Sequence, residues 1–313
     1  MSTKPFVEAA VAVLCRDDGQ VLLGQRPEGK PWAGWWEFPG GKIEEGETPF
    51  HALQRELHEE LGVEAEVAYP WVTRTFDYPE RTVKLRFFTV HQWRGEPHGR
   101  ENQQLSWQDL ASIDVGPLLP ANAPILDALR LPSIYAITNM QEMGRESFFA
   151  GLRQSLEKGL RLVQVREKHL TPAELEAFAS EVIAICRPYG ARVLLNGTPE
   201  IAQRIGADGV HFSSANLAAL PACPEGLLCA ASCHNVEELR RAAELGFDFV
   251  LLSPVMTTLS HPQAQPLGWE TLASMIAEFS LPVYALGGMK PECLIDAWTH
   301  GAHGIAMQRA IWK

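Results

Sequence analysis

Residues 40–63, GGKIEEGETPFHALQRELHEELGV, decide how the first part of this chain is read. Six glutamates fall inside the stretch: Glu44, Glu45, Glu47, Glu56, Glu59 and Glu60. The last three stand at i, i+3 and i+4, so a helix places them on one face. Thr48 is suited to N-cap that helix, Pro49 to occupy its first position and Gly62 to stop it. Phe50, Leu53, Leu57 and Leu61 form an apolar stripe that anchors the helix to a core and leaves the acids to face elsewhere. Solvated acidic faces usually interleave lysine or arginine at i,i+4. Here no lysine occurs between Lys42 and Lys84, and Arg55 is the sole arginine of the stretch. Two readings stay open on these residues alone. One is a plain acidic face; the other is a set of carboxylates gathered for a hard divalent cation such as Mg2+, which takes oxygen ligands.

The chain around this stretch has 313 residues, a length that favours about two domains. A 46% hydrophobic fraction and nine tryptophans suit packed cores. The net charge of −11 disfavours nucleic acid and anionic membrane as partners, while a phosphorylated small molecule can still be met by a metal ion and a few local cations. Six cysteines form no CxxC pair, and LLCAASCHN around Cys229 and Cys233 reads as a buried strand. They are expected to be reduced thiols of a cytoplasmic protein without a zinc site. Residues 1–15 lack the pattern of a signal peptide, and no apolar run reaches the ~18 residues of a membrane span.

In order, residues 7–15 and 21–26 are β-rich runs flanking Asp17, Asp18 and Gly19, a hairpin signal. A tryptophan- and glycine-rich loop, 30–41, leads into the acidic stretch. Residues 83–90 read as a strand, 95–104 as a polar loop and 125–131 as a short helix closed by Pro132. Beyond that point apolar β-runs alternate with amphipathic segments, the signature of βα units around a parallel sheet. The eight expected strands are 134–138, 162–166, 192–196, 209–212, 228–232, 249–253, 283–286 and 304–307. They predict a (β/α)8 barrel, compact at about 180 residues against a usual ~250. The expected domains are 1–131 and 132–313.

The opening stretch also matches G-x5-E-x7-R-E-U-x-E-E-x-G-U, with U aliphatic, at Gly41, Glu47, Arg55, Glu56, Leu57, Glu59, Glu60, Gly62 and Val63. It thereby resembles the Nudix hydrolases, which implies an α/β/α sandwich that cleaves nucleoside diphosphates linked to another group. A diphosphate is shielded by its own oxygens, and bound metal neutralises them and activates water. The resemblance implies that Glu56, Glu59 and Glu60 hold Mg2+, with Mn2+ as the alternative ion. The Gly40 carbonyl would assist, Glu47 would lie nearby and Arg55 would orient the glutamates. QRPEGKPWAGWWEFPGGKIEEGETP, YPER, WRGEPHGRE and PANAPIL resemble the MutT branch over residues 5–130, whose members hydrolyse 8-oxo-dGTP to the monophosphate and pyrophosphate. By that likeness Asn122 reads the edge of the oxidised guanine, Phe38 lines the base pocket, Glu80 and Arg81 close over it, and Arg26 meets phosphate. Read without the likeness, Asn122 is an ordinary turn or cap residue. Ser106 stands where such proteins can carry a further acid, with Glu101 the candidate substitute, and Glu80 stands where aspartate is often seen.

VQVREKHL, IGADGVHFSS, SPVMTT and ALGGM resemble thiamine-phosphate synthase and the related thiazole tautomerase over residues 132–313. The likeness implies that Arg166 and Lys168 meet pyrophosphate and that the amides of Gly287 and Gly288 bind a phosphate, with thiazole phosphate or another phosphate as ligand. The synthase needs aspartates for Mg2+, yet this chain has Asn196 followed by Gly197, and Asn216, at those places; His261 replaces a common lysine. Synthase activity is therefore not expected. His234 matches the neighbourhood of the tautomerase histidine, and an imidazole titrating near neutrality suits proton transfer; a degenerate or regulatory barrel is the other reading. For the whole chain the leading expectation is a Mg2+-dependent 8-oxo-dGTP pyrophosphohydrolase. The alternatives are a Nudix hydrolase of a thiamine-pathway diphosphate and a non-catalytic binding or regulatory module.

Overall fold

A computed structural model describes residues 4–258 and 263–312. The chain divides into two compact units, Met1–Arg130 with Ala277–Ser280, and Leu131–Ile276 with Leu281–Lys313.

In the first unit β1 (Phe6–Leu14) is the central strand. It pairs antiparallel with β4 (Gly40–Lys42) and, over nine residues, parallel with β6 (Thr82–Arg94), which pairs in turn with β5 (Glu64–Asp77). A second sheet holds β2 (Val21–Gln25) between β3 (Trp36–Glu37) and β7 (Leu105–Gln108). Alternate residues of β1 serve two cores. Ala10, Ala12 and Leu14 pack with Leu53, Leu57 and Leu61 of α1 (Pro49–Leu61). Val11 and Val13 pack with Ile125, Leu126 and Ala128 of α2 (Ala123–Leu129). A strand buried on both faces reads as continuous rather than alternating apolar sequence, and this is the α/β/α layering.

Helix α1 starts and stops on the residues its sequence nominates. Thr48 Oγ1 accepts from the His51 amide at 3.2 Å, Pro49 fills the first turn, and Gly62 at φ 71° donates to His58 O at 3.1 Å. Three expectations need correction. The turn at residues 16–20 forms, but β1 and β2 meet only through a Cys15–Val21 bridge before entering different sheets, because each has its own apolar partners. The 14-residue β5 was not anticipated; Pro70 and register shifts at Ala65–Val67, Val67–Ala68 and Pro70–Thr73 break its alternation. Short β3 and β4 lie where a loop was expected.

The second unit is a closed barrel of eight parallel strands: β8 (Ile134–Ile137), β9 (Leu162–Val165), β10 (Arg192–Leu195), β11 (Gly209–Phe212), β12 (Leu228–Cys233), β13 (Phe249–Leu252), β14 (Val283–Leu286) and β15 (Gly304–Met307). All eight agree with the expected strands to within a residue at each end. The helices are α3 (Met140–Met143), α4 (Arg145–Glu157), α5 (Pro172–Cys186), α6 (Pro199–Ile205), α7 (Ser214–Ala219), α8 (Val236–Glu244), α9 (Trp269–Ile276) and α10 (Leu294–Thr299). Tyr135, Leu162, Leu194, Phe249, Leu251 and Tyr284 fill the interior. Among them runs a polar chain: Tyr135 Oη lies 3.3 Å from both Gln164 Nε2 and His211 Nδ1, and His211 Nε2 lies 2.8 Å from Ser232 Oγ. Burial lowers the pKa of His211 to about 3, so it is a neutral core histidine. No helix among the described residues is long and apolar enough to cross a membrane.

Candidate active site

A cleft of about 620 Å³ opens in the first unit and takes its lining from residues between Val7 and Asn122. Its acidic wall is α1. Gly41 lets that wall close in, since a Cβ there would fall 2.2 Å from the Glu56 carboxyl carbon. Arg55 organises the acids around it. Its Nε and Nη2 each lie 3.0 Å from an oxygen of Glu47, its Nη1 lies 2.8 Å from Glu56 and 3.1 Å from Glu59, and Nη2 also donates to Lys42 O at 2.9 Å. The Arg55 hydrogen bond, with help from the Glu44 amide, holds the Glu47 carboxyl below the usual range. One guanidinium thus serves three carboxylates.

Glu60 is left out of this network. Its Oε2 accepts from the Gly40 amide at 3.3 Å, and among the described residues no ion pair neutralises it. Burial first, then the charges of Glu56, Glu101 and Glu37, push its pKa up to about 7 against the pull of that amide. The structure therefore divides the acids that the sequence groups as one ligand set. Glu56 and Glu60 line the cleft, whereas Glu59 turns to Arg55 beside a shallow hollow with His58 and Arg94. Among the described residues no three acidic, histidine or cysteine side chains converge on one point. Even so, the crowded negative charge at Glu60, carried on oxygen donors, fits a divalent cation. Glu101 adds to that charge and pairs with Lys30. Ser106 points elsewhere, accepting from Gln108 Nε2 at 2.8 Å.

The opposite wall is aromatic and polar. Phe38 is 3% exposed and packs edge-on against Phe87. Asn122 occupies the N-cap position of α2 without capping it; instead its buried amide donates to Trp36 O at 3.4 Å. Arg26 lies in the cleft with its guanidinium held by Pro31 O and Glu37. Burial raises the Glu37 pKa, and Arg26 offsets part of the rise. Glu80 and Arg81 sit in the turn from β5 to β6, closed by Tyr78 N to Arg81 O at 2.9 Å, and both reach the cleft. The sequence reading missed Glu37, Trp32 and Tyr78 as lining residues. Trp32, at φ 62°, stands edge-on to Trp35 with 4.9 Å between centroids and to Tyr78 with 6.1 Å. The cluster of tryptophans before residue 37 was the available signal.

The candidate residues of the second unit follow the C-terminal ends of β9, β12 and β14, where barrel active sites sit. The Arg166 amide donates to Thr138 Oγ1 at 3.0 Å, and burial lowers the guanidinium pKa; Lys168 is exposed. His234 Nδ1 lies 2.8 Å from Ser253 O. A carbonyl can only accept, so Nδ1 donates this bond and Nε2 is the ring nitrogen left to exchange a proton. Gly287 and Gly288, at φ +103° and +72°, bring the chain so close that added Cβ atoms would fall 2.9 Å from Pro254 Cα and 2.7 Å from Thr257 O.

The NUDIX domain family model matches residues 5–129, and that of thiamine monophosphate synthase matches residues 134–311. The chain belongs to both families. Its Nudix part is 40% identical over 126 residues to the 8-oxo-dGTP diphosphatase of Haemophilus influenzae, covering 40% of this chain and 93% of that protein. The 8-oxo-dGTP diphosphatase of Escherichia coli is 34% identical over 124 residues, 40% of this chain and 96% of that one. The barrel is 39% identical over 180 residues to putative thiamine-phosphate synthase 2 of Aquifex aeolicus, covering 57% of this chain and 96% of its relative. The Nudix unit is accordingly a hydrolase of phosphoric anhydrides, a class that generally uses a divalent metal.

At the barrel mouth the positions where the synthase likeness calls for metal-binding aspartates carry no carboxylate. Asn196 Nδ2 is committed to His211 O at 3.0 Å, and Gly197 offers no side chain. Asn216 lies exposed on α7. His261 lies outside the described residues. The one buried carboxylate after β9, Glu167, accepts the Met140 and Gln141 amides at 2.7 and 3.2 Å.

Proposed function

We propose that the Nudix unit is a Mg2+-dependent nucleoside triphosphate pyrophosphohydrolase, with Mn2+ able to substitute, whose preferred substrate is 8-oxo-dGTP, released as 8-oxo-dGMP and pyrophosphate. The observation that carries this reading is the cleft itself: Glu56 and a charge-crowded Glu60 on one wall, Phe38 and the buried Asn122 amide on the other. Glu56 and Glu60, with the Gly40 backbone beside them, would hold the ion, and Glu59 would join on release from Arg55. When bound, the ion neutralises phosphate oxygens and lowers the pKa of the attacking water. Arg55 fixes Glu47 and Glu56 so that neither must be reordered as substrate enters. Arg26 and Lys30 supply the cations for the triphosphate, and Glu80 and Arg81 close over the base.

Phe38 offers the base an apolar wall, and Asn122 offers it an amide already oriented by its bond to Trp36 O. Guanine N7 accepts hydrogen bonds, whereas N7 of 8-oxoguanine carries a hydrogen and donates. An amide oxygen facing that position favours the oxidised base, because the unmodified one leaves two acceptors opposed. A Mg2+ panel of 8-oxo-dGTP, dGTP, ADP-ribose and thiamine diphosphates tests the reading; pyrophosphate released fastest from 8-oxo-dGTP supports it.

A second reading keeps the chemistry and changes the substrate to a thiamine-pathway diphosphate. The barrel's family favours it. Turnover of that diphosphate above 8-oxo-dGTP, with 8-oxo-dGTP and dGTP equal, would decide for it. For the barrel, residues 132–313 taken as a separate domain, His234 Nε2 would move a proton on a thiazole phosphate that Arg166, Lys168 and the amides of Gly287 and Gly288 would hold. Absence of binding in a titration with thiazole phosphate would leave a regulatory or degenerate barrel.

A further inference from the structure

Among the described residues Trp32 is the one large apolar side chain that lines the Nudix cleft yet stays exposed, with 40% of it open to solvent. Its backbone, at φ 62°, is left-handed, a conformation that strains a bulky residue and persists only where the surroundings enforce it. The other non-glycine residue with positive φ among the described residues is Asn102, a type that adopts it readily. At Trp32 the turn is closed by the Trp35 amide, which donates to Trp32 O at 3.1 Å, and the Trp35 ring meets the indole at 82°. Tyr78, in the turn from β5 to β6, meets it at 61°, so neither neighbour stacks on it. A strained aromatic held open in a cleft fills no core; it is displayed to a ligand.

The place of the ring selects the part of a nucleotide that it meets. Pro31, the preceding residue, accepts from Arg26 Nε at 2.7 Å, and Lys30 comes just before it. These are the cations assigned above to phosphate. Tyr78, on the other side, leads into Glu80 and Arg81, which are assigned to the base. Trp32 joins the two groups, at the level of the nucleoside. We propose that Trp32 is the platform on which the nucleobase stacks. The inference rests on reading this unit as a nucleotide hydrolase. Every base has a π-face, so stacking adds affinity without reading the groups on the ring edge. It holds substrate and transition state alike, which lowers KM and leaves kcat unchanged. Trp32 grips the base, and Asn122 selects it.

The test titrates the full chain, with Mg2+, with 8-oxo-dGMP and separately with inorganic pyrophosphate, in the native protein and in Trp32→Ala, Trp32→Phe and Trp32→Gly. Glycine takes the positive φ without strain, so Trp32→Gly keeps the turn and removes only the ring. The Kd for 8-oxo-dGMP is expected to rise roughly tenfold in Trp32→Ala and Trp32→Gly and less than about threefold in Trp32→Phe. Pyrophosphate, which has no base, should bind within about twofold of native in all three. In turnover by Trp32→Ala, KM for 8-oxo-dGTP and dGTP should rise by the same factor, with kcat little changed. Native affinity for 8-oxo-dGMP in Trp32→Ala or Trp32→Gly would overturn this inference alone, as would pyrophosphate weakened to the same degree as the nucleotide. A native chain that binds pyrophosphate but not 8-oxo-dGMP would overturn the nucleotide reading and the inference together.

Discussion

Glu60 in the Nudix cleft and Glu167 at the barrel mouth are both acids drawn into the protein, yet their surroundings differ in kind. Glu167 accepts two backbone amides and has His169 at 3.5 Å, so its negative charge is spent on holding the start of α3. Glu60 has one long bond to the Gly40 amide and three other acids as neighbours. Burying a carboxylate costs several kcal/mol unless it is paired, and adding like charges raises that cost. The first arrangement stabilises a loop; the second stores an unmet demand for positive charge. The neighbours, rather than the burial, tell the two acids apart.

The sharpest way to break this contrast is Glu56→Gln. If Glu56 and Glu60 form the heart of the site, kcat/KM for nucleotide hydrolysis should fall on the order of 10³-fold, about 4 kcal/mol of transition-state stabilisation, with the fold retained by circular dichroism. Arg55→Ala comes next. Arg55 touches three glutamates without lining the cleft. Its loss should therefore cost roughly 10–100-fold, with the half-saturating Mg2+ concentration rising, as expected for a residue that orients ligands. A drop in rate at unchanged Mg2+ dependence would count against that role.

A smaller effect follows from Glu60. Its pKa in the folded state is about 7 against an ordinary 4.5, so the folded form holds the proton more tightly than the unfolded one. That contribution to stability is full below about 4.5 and is lost as pH rises through about 7. In metal-free protein the Nudix unit should melt at lower temperature at pH 8 than at pH 5.5, and added Mg2+ should raise Tm more at pH 8. Equal Mg2+ increments at the two pH values would contradict the account. The smallest effect tests the other side of the comparison: His234→Ala should leave nucleotide hydrolysis within about twofold, since a substitution outside the cleft lining removes no group that meets substrate.

Local chemistry was legible wherever it was written into a few adjacent residues. Thr48, Pro49 and Gly62 cap α1 as their side chains demand, and the eight barrel strands stand out because a buried parallel strand is a short apolar run between turns. What was hidden depends on partners distant in sequence. Nothing in residues 7–26 says that β1 and β2 will part at Cys15, since that choice belongs to α1, α2 and β6. Helical spacing put Glu56, Glu59 and Glu60 on one face, but could not tell that Arg55 would draw Glu59 one way while the Gly40 amide drew Glu60 the other. Glu37 and Trp32 reach the cleft through a loop whose path the sequence alone does not define.

The most direct test of the central claim is steady-state kinetics of the full chain with Mg2+ on 8-oxo-dGTP and dGTP, following pyrophosphate, in the native protein and in Asn122→Ala. The account predicts that kcat/KM favours 8-oxo-dGTP by roughly 100-fold or more, and that Asn122→Ala removes most of that preference while dGTP turnover changes little. Equal turnover of the two nucleotides by the native protein, with a thiamine-pathway diphosphate cleaved faster than either, would contradict it.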